Sequence, residues 1–458
     1  MKFSHLLSNP REFITIFFTQ GNERSLKAKR NILLLAVIKG CSIAVSLILV
    51  PITIHYVNPT RYGIWLTLSS IVGWFSFFDV GLGHGLRNKF AEAVTKGNDE
   101  KARIYVSTTY AILGLIVVVI LMFFFCINPF LNWTKILNTP SIMAGELSLL
   151  ALIVFGFFCL QFVLRLMTTI LTANQQPAKA SIFDFLGSLL SLSIIYILTK
   201  TTSGNLIYLG TVFSLTPVLV LVSSSVWFYT HQYKKYAPSF KFVRFHYARD
   251  LMGLGIKFFI IQITGVILYQ TSNIIIAHLF GPEHVTPYNI AYKYFSIVTM
   301  TFSIIMMPFW SATTEAWIKK DIIWIKNTVN KLILVWILIG ISALIMLIFS
   351  NFIYKIWVGK EIEVPISVSA VMAAYVIIFC WCSIFVQFLN GVGKIMIQLY
   401  FSIFGALINI PLAIIFGKNL GIYGVILTAC LLTFINAIWS PIQYLKIVNN
   451  KAKGIWNK

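Results

Sequence analysis

Apolar residues in this chain come in long blocks, and each block is long enough to cross a bilayer. A helix rises 1.5 Å per residue, so ~20 apolar residues cover the ~30 Å hydrocarbon core. Residues 32–54, 62–83, 104–130, 146–171, 182–198 and 206–229 meet that length, as do 256–280, 288–312, 332–357, 366–389, 396–416 and 422–444. The pattern predicts an all-α integral membrane fold of about twelve transmembrane helices joined by short loops. Such a layout leaves no room for a soluble catalytic domain, so function is expected inside the bilayer.

Composition sharpens this. Of 458 residues, 58% are hydrophobic and 11% charged, with a mean hydropathy of +0.84, which excludes an ordinary soluble globule. A formal charge of +22 would suggest nucleic acid in a soluble protein, but here the distribution of the charge decides. Counted from a cytoplasmic N-terminus, the inner loops hold most of the 36 Lys and Arg residues, while the outer side holds Arg61, Lys135, Lys200, Lys355, Lys360 and Lys418. That alternation is the positive-inside pattern; it predicts cytoplasmic N- and C-termini and a lipid bilayer, with no nucleic acid, as the partner.

The basic first thirty residues carry an apolar patch at 13–18, too short for a signal-peptide core, and are expected to lie on the inner membrane surface. Tyr56, Tyr62, Trp133, Trp317, Trp357 and Trp456 fall near helix ends, where interfacial anchors belong. Cys41, Cys126, Cys159, Cys380, Cys382 and Cys430 all lie in predicted spans and are read as small apolar packers. Cys380 and Cys382, two apart on a helix, point to different faces and make a poor metal site. No phosphate loop, metal-ligand spacing or nucleophile arrangement stands out, so no cofactor or metal is predicted.

The chain also divides in the middle. Sliding the second half against the first by 223 residues aligns His55 with His278, Pro59 with Pro282, Glu92 with Glu315, Ala93 with Ala316 and Lys96 with Lys319. The matches cluster at one outer and one inner loop of each half. They suggest two parallel six-helix repeats, related by an axis along the membrane normal and enclosing a cavity, as in transporters. The expected divisions are a cytoplasmic basic segment 1–30, a first half 31–230, a cytoplasmic linker 231–255, a second half 256–446 and a cytoplasmic tail 447–458.

Ionisable groups inside spans are costly and face a cavity or a partner. They are Lys39, Asp79, Arg165, Asp184 and Lys293. Two arrangements compete: internal ion pairs, Lys39 with Asp79 or Arg165 with Asp184, and an aqueous vestibule. In the vestibule Lys39, Arg165 and Lys293 receive an anionic headgroup, with Asp184 as pair or coupling residue.

The most specific stretch is Tyr62-Gly63-Ile64-Trp65-Leu66, followed by Phe77-Phe78-Asp79-Val80-Gly81-Leu82-Gly83-His84-Gly85-Leu86-Arg87-Asn88-Lys89 and Ala91-Glu92-Ala93. Glycines at alternate positions 81, 83 and 85 allow a tight turn out of the span, with Asp79 just inside it as a gate or hinge element. This stretch resembles the polysaccharide (O-antigen) flippases of the multidrug/oligosaccharidyl-lipid/polysaccharide exporter superfamily. His84 departs from the small polar residue expected there.

The resemblance implies a V-shaped transporter of the bacterial cell (inner) membrane. It would move undecaprenyl-diphosphate-linked oligosaccharide, an O-antigen, lipopolysaccharide, capsule or exopolysaccharide repeat unit, from the inner to the outer leaflet by alternating access. It also implies the polysaccharide polymerase and chain-length machinery as partners, and no enzymatic activity. Two other readings stand beside it. A multidrug cation antiporter shares the layout but calls for cavity carboxylates. A membrane polymerase or glycosyltransferase calls for a long outer loop, and none here exceeds about 16 residues.

Overall fold

The computed structural model describes residues 23–75, 81–174, 176–252 and 270–457. These residues form helices α1 (Glu23–Val57), α2 (Pro59–Gly73), α3 (Leu82–Thr95), α4 (Asp99–Ile127), α5 (Trp133–Leu137), α6 (Ala144–Leu164) and α7 (Leu166–Ala173). They continue with α8 (Pro177–Thr201), α9 (Leu206–Thr230), α10 (Val285–Ile318), α11 (Ile322–Trp357), α12 (Ile366–Val392), α13 (Met396–Leu420) and α14 (Ile422–Val448). No strand occurs among the described residues.

Nine of the described segments are long and apolar enough to cross a membrane. Predicted spans 62–83 and 256–280 run partly outside the described set; residues 62–75 and 81–83 of the first and 270–280 of the second are described. The apolar patch at 13–18 also lies outside it. Leu115, Val119, Phe123, Leu338, Ile348 and Phe352 project from α4 and α11 with most of their surface bare, a face that only lipid satisfies.

Side-chain caps set many helix starts. Asn58, Asn98, Asn132, Asn205 and Asp321 each accept from the backbone N–H three residues on, in α2, α4, α5, α9 and α11. Two of these joints repeat across the molecule at the offset read from the sequence. Asn58 (φ 75°, ψ 163°) and Gly281 (φ 105°, ψ 156°) turn the chain at equivalent points. Gly97 (φ 70°) and Lys320 (φ 58°) both precede an Asx cap, Asn98 or Asp321. The amides of Asn98 and Asp321 donate to the carbonyls of Ala93 and Ala316 in turn, each at 2.9 Å. α4 and α11 begin 223 residues apart. The weak internal repeat is therefore a repeat of backbone joints.

Helices α1, α4, α6, α8 and α9 pack into one bundle; in another, α10, α11 and α14 pack against α12, and α13 packs on α14. The bundles meet at the end where α1 gives way to α2. A Cβ on Gly63 there would overlap the Pro282 carbonyl, and Thr286 Oγ1 donates to the Pro59 carbonyl at 2.6 Å. One apolar core runs across this seam. At the opposite end the first bundle has a core of its own, built from Leu86, Phe90, Tyr105, Leu166, Phe228 and Tyr236.

Residues 231–252, expected as a linker, form a strap tied to the first bundle. Arg103 Nε donates to the Ala237 carbonyl at 3.0 Å, the Ser239 amide to Ser107 Oγ at 3.1 Å, and the Arg244 amide to Thr108 Oγ1 at 3.0 Å. Asp99 accepts from Lys235 at 2.8 Å and from Tyr236 at 2.7 Å, and these hydrogen bonds hold its carboxyl below the usual carboxylate range. Several expected interfacial anchors are instead spent inside the protein. Trp357 donates to the Leu47 carbonyl at 2.8 Å, across the seam, and buried Trp133 donates to Asn128 at 2.8 Å. An indole N–H near a helix end takes a protein acceptor where one is in reach.

Candidate functional site

Between the bundles lies a cavity of about 600 Å³, lined from α1, α8, α10 and α12. Polar residues reach it as stripes on otherwise apolar helices. α1 contributes Lys39, Ser42 and Ser46; α8 contributes Ser181, Asp184 and Ser188; α10 contributes Lys293, Ser296, Thr299 and Ser303. Spacings of three and four keep each set on one helix face. The hydroxyls are compatible with helix because they donate back along it. Ser42 bonds the Ile38 carbonyl at 2.8 Å, Ser188 that of Asp184 at 2.9 Å, Ser296 that of Lys293 at 2.7 Å and Ser303 that of Thr299 at 2.7 Å. Each oxygen keeps lone pairs with which to accept from a ligand.

Three of the sequence-selected charges, Lys39, Asp184 and Lys293, thus share one cavity. Arg165 reaches it through a partner: its Nη2 lies 3.3 Å from Asp184 Oδ1, and both side chains are more than half exposed. A pair this open contributes about 1 kcal/mol or less in a water-filled cavity. Arg165 also marks a break, since α6 ends at Leu164 and α7 begins at Leu166. No hydrogen bond or ion pair to the Lys39 or Lys293 ammonium occurs among the described residues. Asp79 lies outside that set, and with it the alternative Lys39–Asp79 pair.

The glycine run departs from the expected turn. Gly81 alone makes it, with φ 78° at the N-cap of α3. Gly83 and Gly85 lie within α3. At Gly85 the reason for glycine is packing, because a Cβ would overlap the Leu251 carbonyl of the strap. That contact fixes the end of α3 against the strap.

Charge-based reading of the spans passed over two features. One is the set of hydroxyl stripes, visible as Ser and Thr three and four residues from Lys39, Asp184 and Lys293. The other is a buried amide chain at the seam. Asn289 Nδ2 donates to Asn273 Oδ1 at 2.7 Å, and Asn273 Nδ2 donates to Ser70 Oγ at 2.8 Å, joining second bundle to first. Asn138 Nδ2 adds a bond to the Ala277 carbonyl at 3.1 Å. Asparagines inside apolar runs were the available signal. Among the described residues, no group of three or more His, Cys, Asp and Glu side chains could hold a metal, and the cysteines are free.

Comparison with known proteins places this arrangement. The family model described as "Polysaccharide biosynthesis protein" matches residues 28–313, and the model "MatE" matches 258–415. A Yersinia pseudotuberculosis protein named "Putative O-antigen export protein" is 20% identical, covering 90% of this chain and 94% of its own. The Salmonella typhi "Putative O-antigen transporter" is 22% identical, covering 88% of this chain and 92% of its own. Among solved structures, an inward-facing multidrug resistance MATE transporter of the MOP superfamily superposes with a TM-score of 0.74 at 13% identity. It covers 92% of this chain and all of its own. A MOP-superfamily transporter from Pyrococcus furiosus, also 13% identical, gives 0.65 over 94% of this chain and 98% of its own. This multi-pass membrane protein therefore has the MOP-superfamily transporter fold and belongs to the polysaccharide biosynthesis protein family.

Proposed function

We propose that this protein is a flippase for undecaprenyl-diphosphate-linked oligosaccharide, carrying the sugar headgroup from the inner to the outer leaflet of the bacterial cell membrane. The observation that carries this reading is the composition of the cavity. Two ammonium groups, Lys39 and Lys293, line it with rows of hydroxyls, and its one carboxylate among the described lining residues, Asp184, is engaged by Arg165. A diphosphate needs cations and donors, a sugar needs hydroxyl partners, and neither crosses hydrocarbon unaided. The names of the two curated relatives agree with such a cargo.

The positive-inside pattern supports one orientation. With the N-terminus in the cytoplasm, the seam lies at the outer face and the strap at the inner face. The cavity then lies on the cytoplasmic side of a closed outer seam, the state suited to loading from the inner leaflet. Exchange to the other state is rocking of one bundle against the other. Gly81 is the hinge position that the backbone favours, and Asp79 stays assigned to the same gate. The polysaccharide polymerase and chain-length machinery are the partners proposed on the outer side. Nothing in this mechanism makes or breaks a covalent bond, so the protein acts as a transporter and not as an enzyme.

A multidrug cation carrier is the second reading, from the shared fold. It is disfavoured by the pairing of Asp184, which leaves a cation facing two lysines. Deleting the gene distinguishes the two. The flippase reading expects loss of one surface glycan and accumulation of its lipid-linked repeat unit in the inner leaflet. Intact surface glycans with heightened sensitivity to lipophilic cations would overturn it.

A further inference from the structure

A second recess of about 220 Å³ lies beside the charged cavity, between α10 and α12, and the two share Ser296, Thr299 and Phe379. The walls of the recess are chemically different. Tyr292, Tyr375 and Phe379 supply aromatic surface, Ser296 and Thr299 supply hydroxyls, and no Lys, Arg, Asp or Glu is among its lining residues. The sequence aims these groups together. Tyr292, Ser296 and Thr299 follow one another at spacings of four and three on α10, and Tyr375 and Phe379 are four apart on α12, their rings 6.0 Å between centroids.

Aromatic faces edged by neutral hydroxyls suit a particular chemistry. A pyranose ring has an apolar C–H face and a rim of hydroxyls; the face stacks on an aromatic ring while the rim donates outward. Ser296 Oγ and Thr299 Oγ1 already donate to the carbonyls of Lys293 and Ser296, at 2.7 and 2.9 Å, so their free lone pairs are acceptors for that rim. Lys293 follows Tyr292 by one chain position, about 100° round the helix, and faces the charged cavity. A cation beside an aromatic wall matches the join between a diphosphate and the first sugar attached to it.

We propose that the recess between α10 and α12 is a sugar subsite, in which Tyr292 and Phe379 stack on the ring next to the diphosphate while Ser296 and Thr299 accept its hydroxyls. The assignment rests on the flippase reading. It gives the sugar to the face between α10 and α12, and the anion to Lys39 of α1 and Lys293 of α10.

The test uses the purified full-length protein in nanodiscs and two probes: undecaprenyl diphosphate, and the same lipid carrying N-acetylglucosamine. Wild-type protein should bind the sugar-bearing probe about tenfold more tightly. Tyr292→Leu and Phe379→Leu should bring that ratio close to one, chiefly by weakening the sugar-bearing probe, and Tyr292→Phe should keep it. Lys39→Gln should instead weaken both probes together. An unchanged ratio in both Leu variants, or no preference in the wild type, overturns the subsite and leaves the flippase reading standing. If wild-type protein binds neither lipid, both fall. Tight binding of tetraphenylphosphonium, lost in the Tyr292→Leu and Phe379→Leu variants, would make the recess a cation cage and overturn the subsite.

Discussion

Where the first repeat turns into α2 it places Asn58, whose side chain caps the Arg61 amide at 2.9 Å; where the second turns into α10 it places Gly281. The torsions nearly match, and so does the seam they build. Gly63 presses on Pro282 while its counterpart, Thr286, bonds Pro59, the counterpart of Pro282. Away from the joints the halves diverge. Asn273, in the buried amide chain, corresponds to Val50, which is 1% exposed in an apolar core. Lys293, facing the cavity, corresponds to Ser70, which is bonded into the seam. Asp99, tied to the strap, corresponds to Ile322. Backbone geometry fixes a joint, because few residues tolerate positive φ and few caps fit. A helix face is free to change with what it meets, and here the faces became cavity, seam and strap contact.

Breaking the two-way seam should have the largest effect. Gly63→Val puts a branched side chain against the Pro282 carbonyl, and overpacking costs about 1–3 kcal/mol, which shifts the balance of closed and open seams about 5- to 150-fold. Glycan export should fall at least fivefold, and a cysteine placed at Ser303 should label from the outer side. Thr286→Ala removes only one hydrogen bond, about 1 kcal/mol, and should leave export measurable. Equal effects from the two would contradict this ranking of the seam contacts.

The amide chain should matter less. Asn273→Val copies the first repeat's choice and strips partners from Asn289 and Ser70, costing roughly 1–3 kcal/mol. The purified variant should melt several degrees lower, with substrate affinity retained. A variant as stable as wild type would show the chain to be dispensable.

The smallest effect concerns the strap. The Asp99 carboxyl is held below the usual carboxylate range by hydrogen bonds from Lys235 and Tyr236. A depressed carboxylate stabilises its tie above the unfolded pKa of about 3.9 and loses it only as pH falls through the lower folded value. Hydrogen exchange in residues 233–247, corrected for intrinsic rates, should therefore stay flat from pH 8 to 5. Asp99→Asn should raise it throughout that range. A wild-type increase already at pH 6 would contradict the assignment.

Hydropathy made the helices legible because a span must be apolar along its whole length. The predicted 206–229, 366–389, 396–416 and 422–444 begin where α9, α12, α13 and α14 begin. α1 starts earlier than predicted, at Glu23, since a helix can run on through basic residues that a hydropathy window rejects. The same window could not register the break at Arg165 or the strap, whose order comes from hydrogen bonds to α4. At the site, charge pointed to Lys39, Asp184 and Lys293, because an ionisable group within a span is tolerated only at a cavity or beside a partner. The hydroxyl stripes were written in the sequence at helical spacing, but Ser and Thr cost too little in a helix to draw notice. The recess at Tyr292, Tyr375 and Phe379 depends on α10 facing α12, which no local pattern encodes.

The central claim, that the Lys39 and Lys293 cavity carries a diphosphate-linked sugar across the membrane, is open to direct measurement. Proteoliposomes holding the purified protein and undecaprenyl-diphosphate N-acetylglucosamine on one leaflet can be probed from the other with a sugar-modifying enzyme that cannot enter. The account predicts leaflet exchange with wild-type protein and its loss in Lys39→Gln and Lys293→Gln variants that remain folded. Leaflet exchange undiminished in both variants, or none with wild type, would contradict it.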